Sequence, residues 1–257
     1  LIANWMLDRA GLDIPDGPSS FAISDGAATA VPFAGRAEHV AVFESNSQEI
    51  SLYATMDAAT ESAFPLSPDG DGRLDFSSAT PVATAATNLS RRAIEALILT
   101  VRAVQMAAAM ETALNLTLDY VSARAQFRRP LSKFQAIQQQ LAVAASEIAA
   151  ATMAATQAAS SFAQHANDPE KAWHEAVVAK VQIGHSVEAV TEPLHQVHGA
   201  MGYTQEYDLH HYTRRLWAWR DALGNEHHWS RVLGAELVER SPDEIWKGVT
   251  TGEWIAS

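Results

Sequence analysis

The segment with the clearest chemical potential is a short basic loop between two helical patterns. It contains Arg124, Arg128 and Arg129, followed by Pro130, and Phe127 is its one large apolar residue. The chain as a whole is acidic, with 30 Asp and Glu residues against 18 Lys and Arg and a formal net charge of −12. Guanidinium groups pair strongly with phosphate and carboxylate, so a cationic loop in such a chain indicates an anionic ligand. A solvated charged turn is the alternative interpretation of this loop alone.

A second candidate segment joins two helical patterns through glycines. It runs from Gln196 to Tyr207 and contains Gly199 and Gly202. Because glycine has no side chain, it lets the backbone approach a ligand closely. A helix–loop–helix turn without a ligand is the alternative interpretation of this segment.

The elements that must position these loops are long helices. Apolar residues at spacings of three and four predict a first helix that starts after residue 88, with Ser90 as its N-cap, and ends near Arg124. The predicted buried stripe of this helix is Ile94, Leu97, Val101, Val104, Ala108, Leu114, Leu118 and Val121. Pro130 interrupts the pattern, because proline cannot continue a helix interior.

Further helices complete the predicted bundle. The second begins with Ser132 as its cap, and its many alanines would let neighbouring helices approach closely. Its predicted buried stripe is Phe134, Ile137, Leu141, Ala144, Ile148 and Ala151. A third helix starts at Pro169 and runs to about His198, and two shorter ones cover residues 208–223 and 226–239. Helices of this length favour a long four-helix bundle.

The residues before the bundle have a different character. Residues 1–20 are predicted to be the end of an N-terminal helical domain and a linker. Short β-type runs, separated by turns such as residues 67–73, predict a small β domain of four or five strands over residues 21–87. Residues 88–240 form the predicted bundle and residues 241–257 a C-terminal tail. Because the chain begins inside a helical pattern, its true N-terminus is expected to be missing or to belong to another polypeptide.

The predicted fold class is α+β, and mainly α. It is a C-terminal antiparallel four-helix bundle, preceded by a small β domain and the remnant of an N-terminal helical domain.

Composition excludes several functions. The acidic balance argues against nucleic acid as a partner, since phosphate backbones require a basic face. The absence of cysteine excludes disulfide and thiolate chemistry. Apolar runs carry charges or break early, which predicts no membrane span, and a cytoplasmic location is the expectation. No metal site is predicted, because the pairs His210-His211 and His227-His228 each offer only one ligand when adjacent helical side chains diverge.

Together the two loops resemble the acyl-CoA dehydrogenase family. One family pattern is a Tyr, then Arg-x-x-Phe-Gly at a helix end, then Pro-Leu and Phe-Gln. The residues that match it are Tyr120, Arg124, Phe127, Pro130, Leu131, Phe134 and Gln135. The other family pattern is Gln-x-x-Gly-Gly-x-Gly, followed by an aromatic residue and Thr-x-Glu. It corresponds here to Gln196, Gly199, Ala200, Gly202, Tyr203, Thr204 and Glu206. The resemblance covers residues 88 to about 238 and extends loosely to the β region.

The resemblance implies a flavoprotein that dehydrogenates an acyl-CoA thioester between its α and β carbons. In such proteins the loop of one subunit holds the FAD of its neighbour. It implies that Arg124 pairs with the FAD pyrophosphate and that Gln126 and Phe127 flank the dinucleotide. Two further sets of FAD contacts are implied: Leu131, Phe134 and Ile137 at the adenosine end, and Gln196, Gly199 and Ala200 along the adenine and pyrophosphate.

The same resemblance implies protein partners. One possibility is a second acyl-CoA dehydrogenase subunit in an α2β2 complex, and another is a homotetramer. The implied electron acceptor is electron-transfer flavoprotein or a similar protein.

Three departures from the family pattern change the expected chemistry. Arg128 stands where the family has glycine, and Ala200 replaces one of the paired glycines. The family also uses a Glu to remove the substrate α-proton while hydride passes to the flavin. That position falls at Leu223 or Gly224 here, and a minority position on the first bundle helix falls at Ile98. None of these three residues is a base, so the catalytic residue is unknown.

Two nearby carboxylates are candidates to replace the missing base. Glu226 suits a structural role in the first turn of the last helix, stabilised by the helix dipole, and Glu111 suits an interhelical contact. Three hypotheses follow: an FAD-binding subunit whose partner supplies the base, a self-sufficient dehydrogenase that uses Glu226, or a helical scaffold without flavin. The presence of Arg124, Gln126, Phe127 and Gln196 favours flavin binding. The missing Glu favours the first hypothesis.

Overall fold

The computed structural model describes residues 1–26, 29–63, 68–252 and 254. They divide into two compact units, Leu1–Glu95 and Ala96–Ser257. Ser67 of the predicted turn and part of the predicted C-terminal tail lie outside the described residues.

The first unit contains one short helix, α1, which spans Ile2–Arg9, and two small sheets. The strands are β1 Ser19–Ser24, β2 Thr29–Val31, β3 His39–Glu44, β4 Glu49–Ala54, β5 Ala59–Ala63, β6 Gly72–Asp75 and β7 Ala83–Ala86. The first sheet has the order β1-β3-β4-β7, in which only the β1–β3 pair is parallel. The second is antiparallel, with the order β2-β6-β5. Both sheets contribute to one core, in which Val42, Leu74, Tyr53 and Phe76 are buried and the two rings contact each other at a tilt.

The described part of this unit has seven strands, whereas four or five were predicted. The additional ones are β2, β5 and β7, with the sequences TAV, ATESA and ATAA. They were missed because they are short and consist mainly of alanine and threonine, so they lack the large alternating apolar residues that identify a strand.

The long helices form the predicted bundle. The helices are α2 Arg91–Ala123, α3 Gln135–Gln164, α4 Trp173–His198, α5 Leu209–Asp221, α6 Glu226–Leu237 and α7 Pro242–Thr251. Buried side chains of α2, α3, α4 and α5 share one hydrophobic cluster, which includes Met106, Ile148, Ile183 and Leu216. The four-helix bundle predicted from apolar spacing is confirmed.

The buried face of α2 was predicted only in part from the spacing of its apolar residues. Val104 and Leu118 of the predicted stripe are 45% and 43% exposed, whereas Met106 and Met110 are buried. The helix is apolar on several sides, so spacing alone does not select the buried face. By length and composition alone, α2 is long and apolar enough to cross a membrane, with a mean hydropathy of 1.5 over its most apolar 18 residues. Within the protein, 72% of these residues are buried.

The structure contains one of the two predicted serine N-caps. Ser90 caps α2 as predicted, because its Oγ accepts a hydrogen bond from Ala93 N at 3.1 Å. Ser132 does not cap α3, whose N-cap is Phe134 without a side-chain hydrogen bond. Helix α7 lies in the segment predicted to be a tail. It begins with a capping box in which Ser241 and Glu244 bond each other's backbone N–H groups, a signal present in the sequence.

Candidate functional site

The basic loop is a tight β-hairpin that follows α2 directly. Strands β8 (Ala125–Gln126) and β9 (Arg129–Pro130) pair antiparallel, so the turn consists of Phe127 and Arg128 alone. Both turn residues have positive φ, at 52° and 63°. This is the conformation of a type I′ turn, in which glycine and asparagine are normally preferred.

The side chains of the hairpin are displayed outwards. Phe127 is 86% exposed, and its ring meets Phe134 edge-on at 6.3 Å. The guanidinium of Arg129 lies 4.0 Å from the centre of the Phe134 ring. Arg124 and Arg128 are exposed, and within the described ranges neither side chain has a hydrogen bond or ion pair. In a chain with a net charge of −12, these are two free cations on one small hairpin.

The glycine loop begins where α4 ends. Gly199 has φ 58° and ψ −139°, and a Cβ added there would meet no atom within 4 Å. The backbone beside Gly199 is therefore open to a ligand. Gly202 serves packing instead, because a Cβ there would lie 2.9 Å from His198 Cβ and 3.1 Å from His195 Nδ1.

A group of aromatic residues joins the two loops. Tyr120, in the last turn of α2, stacks on His198, in the last turn of α4, with ring centres 4.3 Å apart. The Tyr120 hydroxyl also donates to the His198 carbonyl at 3.4 Å. Tyr207 contacts both rings and donates to the Leu116 carbonyl at 3.0 Å. Burial lowers the pKa of His198, so its ring is neutral near pH 7. The helix ends that carry the two predicted motifs are thus held together.

The predicted site residues fall into two groups on these loops. Those that are exposed are Arg124, Gln126, Phe127, Gln196, Gly199 and Ala200. Those that are half-buried are Leu131, Phe134 and Ile137. Gln196 lines an open groove of about 750 Å³ between α4 and α5, together with His195, Tyr203 and Arg214. Tyr203 belongs to the second family pattern, but His195 and Arg214 were not predicted from the sequence, because their only signal was proximity to the glycine loop.

The corner between α5 and α6 is the position where the resemblance placed the missing base. Leu223 has φ 61° and its carbonyl accepts a hydrogen bond from Trp229 Nε1 at 2.9 Å. Gly224 has φ 90°, and a Cβ there would lie 2.9 Å from that same indole nitrogen. Asn225 caps α6 by accepting from His228 N at 3.0 Å. The corner is therefore closely fixed, and Leu223 brings no proton-accepting group to it.

Glu226 follows this corner but is fully engaged. It is only 1% exposed, and both of its carboxylate oxygens accept hydrogen bonds from the guanidinium of Arg220. The hydrogen bonds from Arg220 lower the pKa of Glu226 from 4.5 to about 2. Gly184 of α4 makes room for this pair, since a Cβ there would lie 2.9 Å from Glu226 Cβ.

Lys180 is a second buried charge that the sequence analysis did not single out. It is 0% exposed, and its Nζ donates to the carbonyls of Trp219 and Arg220 at 3.0 and 2.6 Å. These carbonyls belong to the last turn of α5, where helix carbonyls lack intrahelical partners. Burial, and then the nearby Arg102, lower the pKa of Lys180 from 10.5 to about 7.

The other positions considered for a base are also structural. Ile98 is a buried apolar residue of α2, with 2% exposure. Glu111 is exposed and accepts a hydrogen bond from Thr152 Oγ1 of α3 at 2.7 Å, which is an interhelical contact. Across the residues that the structure describes, no three His, Cys, Asp or Glu side chains gather in a way that could hold a metal ion.

Comparison with known proteins assigns the family. Residues 99–230, which are 132 of the 257 in the chain, match the model of the acyl-CoA dehydrogenase C-terminal domain. The chain therefore belongs to the acyl-CoA dehydrogenase family, and the resemblance of the two loop motifs is confirmed.

Curated relatives agree with this assignment. The chain is 28% identical over 145 residues to the acyl-CoA dehydrogenase IpdE2 of Mycobacterium tuberculosis, which covers 56% of this chain and 40% of that protein. It is 33% identical over 102 residues to the 3-sulfinopropanoyl-CoA desulfinase of Paraburkholderia xenovorans, covering 40% of this chain and 25% of that protein. The chain thus matches well under half the length of each of these relatives.

Solved structures show the same fold. A variant of the Tcur3481–Tcur3483 steroid acyl-CoA dehydrogenase superposes with a TM-score of 0.68 at 26% identity, covering 87% of this chain and 63% of that one. The ChsE4–ChsE5 complex from Mycobacterium tuberculosis superposes with a TM-score of 0.69 at 20% identity, covering 89% of this chain and 65% of that one.

Proposed function

We propose that this chain is an FAD-binding subunit of an acyl-CoA dehydrogenase and that it does not supply the catalytic base itself. The observation that carries this proposal is the α5–α6 corner, where an apolar Leu223 is followed by a Glu226 that is fully engaged with Arg220. The corresponding reaction is the α,β-dehydrogenation of an acyl-CoA thioester.

The donor set of the two loops fits a dinucleotide. The free guanidinium of Arg124 suits a phosphate, and Gln126 lies two residues further along the same hairpin. Phe127 offers an exposed ring for stacking, while Leu131, Phe134 and Ile137 offer a half-buried apolar surface beside it. Gln196, Ala200 and the open backbone at Gly199 provide the second side. When bound, FAD would accept hydride; the residues of the chain bind and orient it.

Glu226 is poorly suited to act as the base. A catalytic base works best when its pKa lies near the working pH, and that of Glu226 is held at about 2. Its side chain is 99% buried and bonded through both oxygens, so proton transfer to it would first require the Arg220 contact to break. These features support a structural role for Glu226 and favour a base from another chain.

A partner subunit is the natural source of that base. Among the similar solved structures, the ChsE4–ChsE5 complex contains two different proteins, and the Tcur3481–Tcur3483 enzyme is likewise named after two. We therefore favour an α2β2 complex with a second acyl-CoA dehydrogenase subunit over a homotetramer. Electrons would pass from the flavin to electron-transfer flavoprotein or a similar acceptor.

The test is to purify the chain alone and after co-expression with a candidate partner dehydrogenase chain, and to record visible absorption spectra. Flavin bands in the complex only are the expected result. Arg124→Met should lower the flavin content of that complex, whereas Arg36→Met, which removes an exposed arginine of the β unit, should not. Flavin bound stoichiometrically by the isolated chain would instead favour the self-sufficient enzyme. Absence of flavin from both samples would exclude both enzyme hypotheses and favour the third one, a helical scaffold without flavin.

A further inference from the structure

We propose that Arg128 is a second phosphate-binding guanidinium of the hairpin, and that it acts with Arg124 on the diphosphate of the bound dinucleotide. This inference rests on the proposed flavin site and adds a residue that stands where the family pattern has glycine. A diphosphate carries two anionic groups, so a second guanidinium adds a second charge-assisted pair.

The first support is backbone conformation. Arg128 has φ 63° in a two-residue turn, and a residue with a Cβ is strained in this left-handed region. Phe127 beside it has φ 52°, so the turn contains two strained residues and no glycine. Glycine at position 128 would relieve strain without changing the path of the chain. A strained arginine in an exposed turn therefore indicates that its side chain has a function there, such as binding a ligand.

The second support is charge. The Arg128 side chain is exposed and has no ion pair or hydrogen bond within the part of the chain that the structure covers, and the same holds for Arg124. Arg129 differs from both, because its guanidinium is held over the Phe134 ring at 4.0 Å. Two of the three arginines therefore remain available for an anion.

The third support is the distance between Arg124 and Arg128 compared with the length of their side chains. Arg124 directly precedes β8, where its carbonyl accepts a hydrogen bond from Leu131 N, and Arg128 lies at the turn. At a rise of about 3.4 Å per residue, their backbones are separated by about 10 Å along the hairpin. Two extended arginine side chains can converge on one diphosphate over that distance.

The test compares Arg128→Gly with the wild type in the complex after its flavin has been removed, using FAD and ADP as binding probes and thermal unfolding as a second readout. Arg128→Gly should raise the unfolding temperature, because the strain is relieved, and should weaken FAD and ADP binding by about tenfold. The salt dependence of FAD binding should also become shallower. AMP, which lacks the diphosphate, should lose much less affinity than ADP.

Gln48→Gly is the matched control. Gln48 is an exposed residue of the β unit with φ 57°, so its replacement relieves similar strain without touching the hairpin. This variant should be stabilised and should bind FAD normally. Arg128→Lys should recover part of the affinity lost in Arg128→Gly, because it restores the charge but not the planar fork.

The outcomes separate this inference from the proposed function. If Arg128→Gly is more stable and binds FAD as tightly as the wild type, Arg128 has no role in binding while the flavin site stands. If Arg128→Gly is not stabilised, the strain argument is wrong. If the wild-type complex binds neither FAD nor ADP, the proposed function itself fails, and this inference fails with it.

Discussion

Arg220 and Glu226 form a two-point ion pair across the corner between α5 and α6. The Nε of Arg220 donates to Glu226 Oε2 at 2.9 Å, and an Nη donates to the other oxygen. The carboxylate is 1% exposed and the arginine side chain 21% exposed. Between them lie Leu223 and Gly224, the two positions at which the resemblance placed the catalytic Glu of the family. The pair therefore bridges the corner and occupies both carboxylate oxygens of Glu226.

Glu226→Gln should destabilise the protein without impairing turnover. The substitution leaves the guanidinium of Arg220 without its anionic partner at a buried site, which is expected to lower the free energy of unfolding by about 2–3 kcal/mol. Denaturant unfolding measures this loss. Turnover per bound flavin in the complex should stay within about twofold of the wild type. A loss of several orders of magnitude in a folded, flavin-loaded variant would identify Glu226 as the base. Glu111→Gln, an exposed control, should change stability by less than about 0.5 kcal/mol.

Glu226 should also make the protein sensitive to acid. Folding lowers its pKa from 4.5 to about 2, so the unfolded state binds more protons than the folded state between these values. The stabilisation by this carboxylate is therefore complete above about pH 4.5 and is lost as the pH falls towards 2. The free energy of unfolding of the wild type should fall more steeply over this range than that of Glu226→Gln. Parallel curves for the two proteins would contradict the assignment.

Lys180 should make the stability depend on pH in the neutral and alkaline range. Folding lowers its pKa from 10.5 to about 7, so the unfolded state binds more protons between these values and stability rises with pH across them. The cost of burying the charge is greatest below about pH 7. The wild type should gain about 1–2 kcal/mol relative to Lys180→Met between about pH 7 and about pH 9. Denaturant unfolding at both values measures the difference, and an equal change in the two proteins would show that Lys180 titrates normally.

Replacing either of two glycines on neighbouring helices by alanine should change the free energy of unfolding, but in opposite directions. Gly184→Ala places a Cβ 2.9 Å from both Cβ and Oε2 of Glu226, so it should lower the free energy of unfolding by about 1–3 kcal/mol. Gly234→Ala in α6 meets no atom within 4 Å and should raise it by about 0.5–1 kcal/mol, since alanine favours a helix. Thermal unfolding of both variants decides the comparison. Stabilisation by Gly184→Ala would mean that Glu226 is not packed against α4.

Much of the fold could be predicted from local patterns. The C-terminal end of α4 and the start of α6 were placed correctly, because Gly199 and Asn225 mark breaks that depend on few neighbours. The start of α4 was predicted at Pro169, but Pro169–Ala172 is a 3-10 helix and the α-helix begins at Trp173. Helix α7 was not predicted although Ser241 and Glu244 form a capping box, because its apolar pattern is confined to 10 residues. The buried side of α2 could not be predicted, because several of its faces are apolar and the contacts of other helices select one.

The sequence by itself determined the two loop motifs, the family, the bundle and the absence of a Glu at positions 223 and 224, because each of these depends on residue types at short spacing. The tertiary structure alone decided the state of the charged groups. Lys180 lies 39 residues from the carbonyl that it binds, and Gly184 lies more than 40 residues before the Glu226 that packs on it. Burial and ion pairing depend on such distant neighbours, and they set the pKa values that separate a structural carboxylate from a catalytic one.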